Sequence, residues 1–184
     1  MTAQALLTVA DLDLMPEDGN HYEIIEGYIF ASRAPSLLHQ LAVHGFGKNI
    51  GVYLDHNPIG IVVPGPGVIF DEFNGVIPDV VFISNDRRAK VASGLKITGA
   101  PDLAIEILSP GPDNERRDRE VKRRLYAKFG VQEYWIADLE NRHIEIYRLS
   151  NGVLELAETL GEDDEITTDL LPGFRCPVQS IFRT

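Results

Sequence analysis

The sequence predicts an α/β fold, a mixed β-sheet core flanked by helices with added β-hairpins. Three observations carry that expectation. Short runs rich in Val, Ile, Phe and Tyr recur along the chain, two longer stretches show helical spacing, and Gly, Pro and Asn punctuate the junctions. Sheets whose two faces need covering and helices with one apolar stripe are satisfied together in such a layered arrangement. The 184 residues, 44% hydrophobic and 24% charged, suit one globular domain over 1–184, with a core at about 20–140 and a C-terminal β-hairpin extension at about 141–184.

Taken in order, Thr8 caps a short helical turn through Leu12. Tyr22 to Glu26, a turn at Gly27 and Tyr28 to Ser32 form a strand pair. Ser36 caps a longer helix to about Leu54, with Leu38, Leu41, Ala42, Gly45, Phe46 and Tyr53 near one face, and Asn57-Pro58 and Gly60 end it. β-type runs follow at Ile61 to Val63, Gly67 to Phe70 and Val76 to Ser84, and Asp86 to Ser93 reads as a loop or short helix. Leu103 to Leu108 is a strand stopped by Ser109-Pro110-Gly111-Pro112. A charged helix runs from roughly Asn114 to Phe129, where Gly130 stands as a C-terminal cap. Glu133 to Ala137 is a further strand, and Arg142 to Leu149, Asn151-Gly152 and Val153 to Thr159 form a hairpin. Glu162 to Glu165 reads as a solvated acidic loop.

Composition narrows the function classes. The net charge of -11 is unlike that of most nucleic-acid-binding domains. The basic residues are concentrated, however: seven of them lie between Asp113 and Lys128 with four acids, so a local basic surface on an acidic body is expected there. A solvated helix laced with i,i+4 ion pairs gives the same pattern. A single cysteine, Cys176, excludes an internal disulfide framework and a cysteine-built zinc site. Neither an apolar run long enough to span a bilayer nor a secretory leader pattern is seen, so no membrane association and a cytoplasmic location are expected.

Three charged residues sit where packing prefers none. Alternation places Leu103, Ile105 and Ile107 on one face of their strand and Ala104, Glu106 and Leu108 on the other, so Glu106 is a lone carboxylate in a strand covered on both sides. Unpaired, it would be costly and would protonate, so it needs a cation. On the following helix Val121, Leu125 and Phe129 form the inward stripe, and Asp118 and Lys122 fall in or beside it. Asp79 follows Pro78, which marks a strand start or a bulge. A divalent ion held by Asp79 and Glu106, with Lys122 beside it, would suit phosphodiester hydrolysis. An internal Glu106–Lys122 ion pair with a surface Asp79 is the competing account. Tyr126 and Trp135 read as core aromatics.

The series Ile77-Pro78-Asp79, then Pro101-Asp102-Leu103-Ala104-Ile105-Glu106-Ile107-Leu108-Ser109-Pro110, then Asp118, Lys122 and Tyr126 spaced D-x3-K-x3-Y, then Gly130 to Asp138, resembles the Uma-two family of restriction-endonuclease-like proteins within the PD-(D/E)xK nuclease superfamily. Tyr22 to Gly27 matches that family's opening strand, and the resemblance runs in order from about residue 8 to 160. It implies a restriction-endonuclease-like core and Mg²⁺-dependent (Mn²⁺ as substitute) hydrolysis of nucleic acid, DNA in the first instance. By resemblance Asp79 and Glu106 are metal ligands, the Ile107 carbonyl is a further ligand, and Glu23 holds the ion through a water or binds a second one. The superfamily places a lysine where Leu108 stands here; Lys122 takes that role from the next helix. His39 matches a recurrent family position, and with Asp118 and Tyr126 it is a candidate to support the ligands from behind. Double-strand cutting in this superfamily needs two sites, which implies a homodimer. The alternative is a catalytically silent nuclease-fold protein that binds nucleic acid or a protein partner.

Overall fold

The computed structural model describes residues 5–92 and 96–182. Two sheets dominate it. The larger has six strands in the order β11-β10-β9-β8-β6-β3 and the smaller five, β2-β1-β5-β4-β7. In the larger sheet β3 (Gly60–Pro64), β6 (Val80–Ser84), β8 (Leu103–Ile107), β9 (Glu133–Asp138), β10 (His143–Ser150) and β11 (Val153–Leu160) pair antiparallel, except β8 with β9, which are parallel. A parallel pair needs a crossover, and the charged helix supplies it. The smaller sheet holds β1 (His21–Ile25), β2 (Tyr28–Ser32), β4 (Val68–Asp71), β5 (Asn74–Val76) and β7 (Ile97–Thr98).

Two tight hairpins follow from turn chemistry. Glu26 and Gly27 have φ of 53° and 78° between β1 and β2, and Asn151 and Gly152 have 48° and 80° between β10 and β11. Two consecutive positive φ values match the twist of the flanking strands, which is why Gly occupies the second position of each. The N-terminal turn Val9–Leu14 is a 3₁₀ helix, opened by Thr8, whose N–H and hydroxyl both donate to the Asp11 carboxylate at 2.7 and 2.9 Å.

Each face of the six-stranded sheet has its own core. Leu103, Ile105 and Ile107 face α1 (Leu37–His56) and the C-terminal segment, through Phe46, Ile50, Ile166, Phe174 and Val178. Ala104 and Leu108 face the crossover helix and the smaller sheet, through Leu125, Tyr126, Val76 and Ile25. Glu106 shares that second face, so the alternation expected from sequence holds.

Three expectations are corrected. Val76 to Ser84 is not one strand: β5 ends at Val76 in the smaller sheet and β6 begins at Val80 in the larger, so Ile77-Pro78-Asp79 is the crossing between sheets. Pro78 has no N–H for either ladder, and the chain changes sheet there. On α1, Leu38 and Leu41 are exposed; the buried stripe is His39, Val43, Phe46 and Ile50, with Ala42, Gly45 and Leu54 beside it. Gly45 is small because the C-terminal segment crosses there: an added Cβ would lie 3.4 Å from the Ile181 backbone. The basic surface on the crossover helix largely dissolves. Arg117 and Lys122 are buried and Arg119 is bound to Asp138 and Glu145, leaving Arg116, Arg123, Arg124 and Lys128 outside or half-buried. Asp86 to Val91 does lie in a short helix, α2 (Asn85–Val91), while Ser93 falls outside the described residues.

Candidate active site

The crossover between β8 and β9 is one continuous helix in three parts: α3 (Pro112–Arg116), a π-helical turn (Arg117–Lys122) and α4 (Arg123–Phe129). The π turn sets the site. In a regular α-helix residues five apart lie about 140° apart around the axis. The i→i+5 bonds of a π turn bring them to one side, and such turns recur at functional positions. Here Arg117, Asp118 and Lys122 all end up buried.

Lys122 enters the space between the two sheets. Its Nζ lies 2.9 Å from Glu23 Oε1 on β1 and 3.0 Å from Glu106 Oε1 on β8, and is 2% exposed. The Tyr126 hydroxyl, one turn on, donates to the same Glu106 oxygen at 2.7 Å. Glu23 Oε1 also accepts the Ile77 N–H at 2.7 Å, which ties β1 to the crossing segment. At the end of that segment Asp79 Oδ2 accepts the Ile107 N–H at 2.7 Å and lies 3.2 Å from His39 Nε2. His39 Nδ1 is buried without a partner, so the ring is held by its Asp79 contact. Arg117 Nε donates to Asp118 Oδ1 at 3.2 Å, and Tyr134 donates to the Asp118 carbonyl at 3.0 Å.

The residues named from sequence therefore converge. Asp79, Glu106, Ile107, Glu23, Lys122, His39 and Asp118 all line one cavity of about 380 Å³, and Tyr126 stands behind Glu106. Arg117 is the participant that sequence reasoning missed, because its inward phase exists only through the π turn. Trp135 is a fully buried core aromatic as expected, and its indole N–H donates to Glu133 at 2.9 Å.

Electrostatically the cluster is unbalanced. Four carboxylates, Glu23, Asp79, Glu106 and Asp118, line the cavity with three fixed cations, the buried Lys122 and Arg117 and the exposed Arg33, so full ionisation leaves one negative charge over. Burial pushes the Glu106 carboxyl up to about 8 despite Lys122, with Asp79, Asp118 and Glu23 adding to the rise. Burial likewise raises Asp118, against the pull of Lys122 and Arg117. Burial alone would lower Lys122, but Glu106, Glu23 and Asp118 hold it well above the ordinary lysine range, so it stays an ammonium. Burial, then Glu106, keep Tyr126 a hydroxyl and hence a donor.

Each carboxylate is anchored through one oxygen only. Among the described residues, Glu23 Oε2, Asp79 Oδ1, Glu106 Oε2 and Asp118 Oδ2 receive no hydrogen bond, and none of the four is a sealed, partnerless atom. Open oxygens on rigidly held carboxyl groups are what a hard cation binds, and its charge would displace the proton that burial favours on Glu106. The donor set fits such an ion, although among the described residues no three His, Cys, Asp or Glu side chains already stand gathered as a cage. Lys122 bridges Glu23 and Glu106 instead.

A family model for Uma2, described as "Putative restriction endonuclease", matches residues 9–179. The chain belongs to this family. Among solved structures, one described as "a putative nuclease belonging to DUF820" from Anabaena variabilis ATCC 29413 superposes with a TM-score of 0.76 at 20% identity, over 96% of this chain and 97% of that one. That likeness establishes the shared nuclease-type fold. No curated protein matches the Uma2 chain. Among the described residues no helix is long and apolar enough to cross a membrane.

Proposed function

We propose that this Uma2 protein is a metal-dependent endonuclease that hydrolyses phosphodiester bonds of DNA, with Mg²⁺ as the natural ion and Mn²⁺ as a substitute. The observation that carries the reading is the set of four half-anchored carboxylates, Glu23, Asp79, Glu106 and Asp118, lining the one cavity that Lys122 enters, with more carboxylates than cations. Asp79, Glu106 and the Ile107 peptide would hold the ion, and Glu23 a water on it or a second ion. A bound Mg²⁺ would supply Lewis-acid polarisation of the phosphate and a more acidic water.

The chain's own residues do the remainder. Asp79 is fixed from two sides, by the Ile107 N–H and by His39, so its free oxygen has one direction to point. Tyr126 holds Glu106 by the oxygen that faces the protein. Lys122 keeps its charge through the reaction and places it where the phosphorane charge develops, a buried and preorganised donor. Arg117 neutralises Asp118, which would otherwise repel the phosphate. A homodimer would bring the second such site that cutting both strands requires. Nicking of plasmid DNA in Mg²⁺ by the wild type and not by Asp79→Ala tests the reading.

One observation favours a second reading. Lys122 already bridges Glu23 and Glu106, as a purely structural ion-pair strut would, and a silent nuclease fold acting as a binding module would keep that bridge. Equal absence of cutting in wild type and variant, with no ion-dependent change in either, selects this alternative.

A further inference from the structure

The outermost strand of a sheet leaves backbone N–H and C=O groups open to pairing, and proteins blunt such edges with charge, proline, bulges or brevity. Of the four edges of the two main sheets, three are blunted. β3 holds Gly60 and Pro64 and lies half-buried beside α1. β7 is two residues long. β11 carries Glu155 and Glu158 and breaks its register opposite Ile146 and Tyr147. β2, with the sequence Tyr28-Ile29-Phe30-Ala31-Ser32, has none of these devices: it is uncharged, pairs with β1 without irregularity, and leaves Tyr28 57% and Ile29 41% exposed. We infer that β2 is the interface through which a second copy of this chain pairs, antiparallel about Phe30, to make one continuous sheet across a two-fold axis. The pairing stands without the nuclease reading and gives the homodimer of that reading its interface.

The register of the β1–β2 hairpin fixes which groups are free. Its two-residue turn, Glu26-Gly27, makes Ile25 and Tyr28 a hydrogen-bonded pair, and in alternation Glu23 with Phe30 and His21 with Ser32. Ile24 instead turns its backbone to Gly75 on β5. The corresponding residues of β2, Ile29 and Ala31, have no further strand beside them. Their N–H and C=O groups point outward, and among the described residues none of the four has a hydrogen bond. These groups are self-complementary. With Phe30 opposite Phe30, Ile29 of each copy faces Ala31 of the other, and four N–H···O=C bonds close with no group left over. The two Phe30 side chains then form the close, non-hydrogen-bonded pair at the centre, where aromatic residues reinforce a sheet.

Charge at the ends of the strand selects this same chain as the occupant. The Phe30-centred register sets Arg33 of one copy beside the Glu26-Gly27 turn of the other. Arg33 and Glu26 are exposed, and neither side chain has an ion pair among the described residues. Any apolar strand would satisfy the β2 backbone; a second copy also brings the opposite charge to both ends. Those two contacts offset, at the interface, the repulsion between chains that each carry a net charge of -11. Arg33 lines the catalytic cavity, so Glu26 of one copy reaches a residue of the other's site. The two-fold axis is perpendicular to the sheet. The two Glu23 side chains, each opposite Phe30, therefore stay on one face with their backbones about 14 Å apart, three strand spacings.

The test is sedimentation velocity of the whole chain from low to high micromolar concentration, without metal or DNA, with amide hydrogen exchange at Ile29 and Ala31. The pairing predicts a concentration-dependent dimer in which both N–H groups become protected. Ala31→Pro removes an N–H that has no partner within the chain, at an edge position where proline is tolerated. It should raise the dimer dissociation constant about thirty-fold, the factor of two hydrogen bonds at their usual net worth, and melt like wild type where both are monomeric. Ile29→Lys, a charge on the exposed edge, should do the same if the proline variant folds poorly. Arg33→Glu and Glu26→Lys should each weaken the dimer, and the two together restore it. A chain monomeric throughout, a dimer as tight in both edge variants as in wild type, free exchange at Ile29 and Ala31 within the dimer, or no restoration by the charge exchange would overturn the pairing. Cutting is read separately in Mg²⁺: a monomer that nicks DNA strikes the interface alone, and a dimer that never nicks strikes the nuclease reading alone.

Discussion

Replacing Glu106 with Gln separates a metal-ligand carboxylate from an ion-pair strut, and the two roles differ in sign. The folded state holds the Glu106 proton to about pH 8, whereas the unfolded chain releases it near the ordinary glutamate value of about 4.3. The native state therefore binds more protons between those values, and stability falls as pH rises through that window by up to ~1.4 kcal/mol per pH unit. At pH 7 the accumulated cost for Glu106 alone is on the order of 3 kcal/mol; sharing the proton with the neighbouring carboxylates brings it to about 1–3 kcal/mol. Gln does not titrate, still accepts from Tyr126, and leaves Lys122 with Glu23 at 2.9 Å. In chelator, Glu106→Gln should match wild type near pH 4.5 and melt about 2–12 °C higher at pH 8, from roughly 2–4 °C per kcal/mol at this chain length. Thermal unfolding across pH 4.5–8.5 reads this. A variant less stable than wild type, with a deficit that widens toward pH 8, would refute the reasoning and make Glu106 an ionised strut for Lys122.

Lys122→Ala should lower the rate of DNA cutting by about 10²–10³ while an ion still binds, because the change removes one cation from beside another; single-turnover cutting and Mn²⁺ titration check both halves. Adding Leu108→Lys, on the same face of β8 as Glu106, should restore part of the activity by returning an ammonium to that space. Tyr126→Phe should cost about 1–3 kcal/mol in denaturant unfolding, since it strips one of the two donors from a buried carboxyl oxygen. A cost near zero would show that Tyr126 does not hold Glu106. On the outer side of the helix, burial works to raise Glu145, but hydrogen bonds from Tyr147, Arg119 and His143 hold it below the usual carboxylate range. Its contribution is present above the unfolded value and lost as pH falls through the lower folded one. Arg119→Met should therefore destabilise the protein at pH 6 and lose that deficit toward pH 3; a deficit independent of pH would contradict it.

The legible parts of this fold were those fixed by local rules. Glu26-Gly27 and Asn151-Gly152 announce hairpins because two consecutive positive φ values demand such residues. Glu106 stands out because alternation leaves it the one charge in a strand buried throughout. Lys122 was legible from helical phase, whereas Arg117 was hidden, since a phase of 100° per residue fails across the π turn. The crossing at Ile77-Pro78-Asp79 was read as a strand entrance because proline shows where a ladder stops, without showing that the chain changes sheets. The basic helix looked like a surface because the partners that tie down Arg119, Asp138 and Glu145, lie on β9 and β10, and pairing across strands is not a local property. Asp79 was legible from the proline before it and Glu23 only from the family pattern, and their approach to the Ile107 N–H and to Lys122 is tertiary.

The most direct test is the anomalous signal of Mn²⁺ soaked into crystals of the wild-type protein. The proposal predicts one peak in the cavity with Asp79 and Glu106 oxygens and the Ile107 carbonyl at about 2.0–2.6 Å from it, and Lys122 turned from Glu106 toward the phosphate side. A cavity without a peak, Lys122 still 3.0 Å from Glu106, and manganese bound only at surface carboxylates would contradict it.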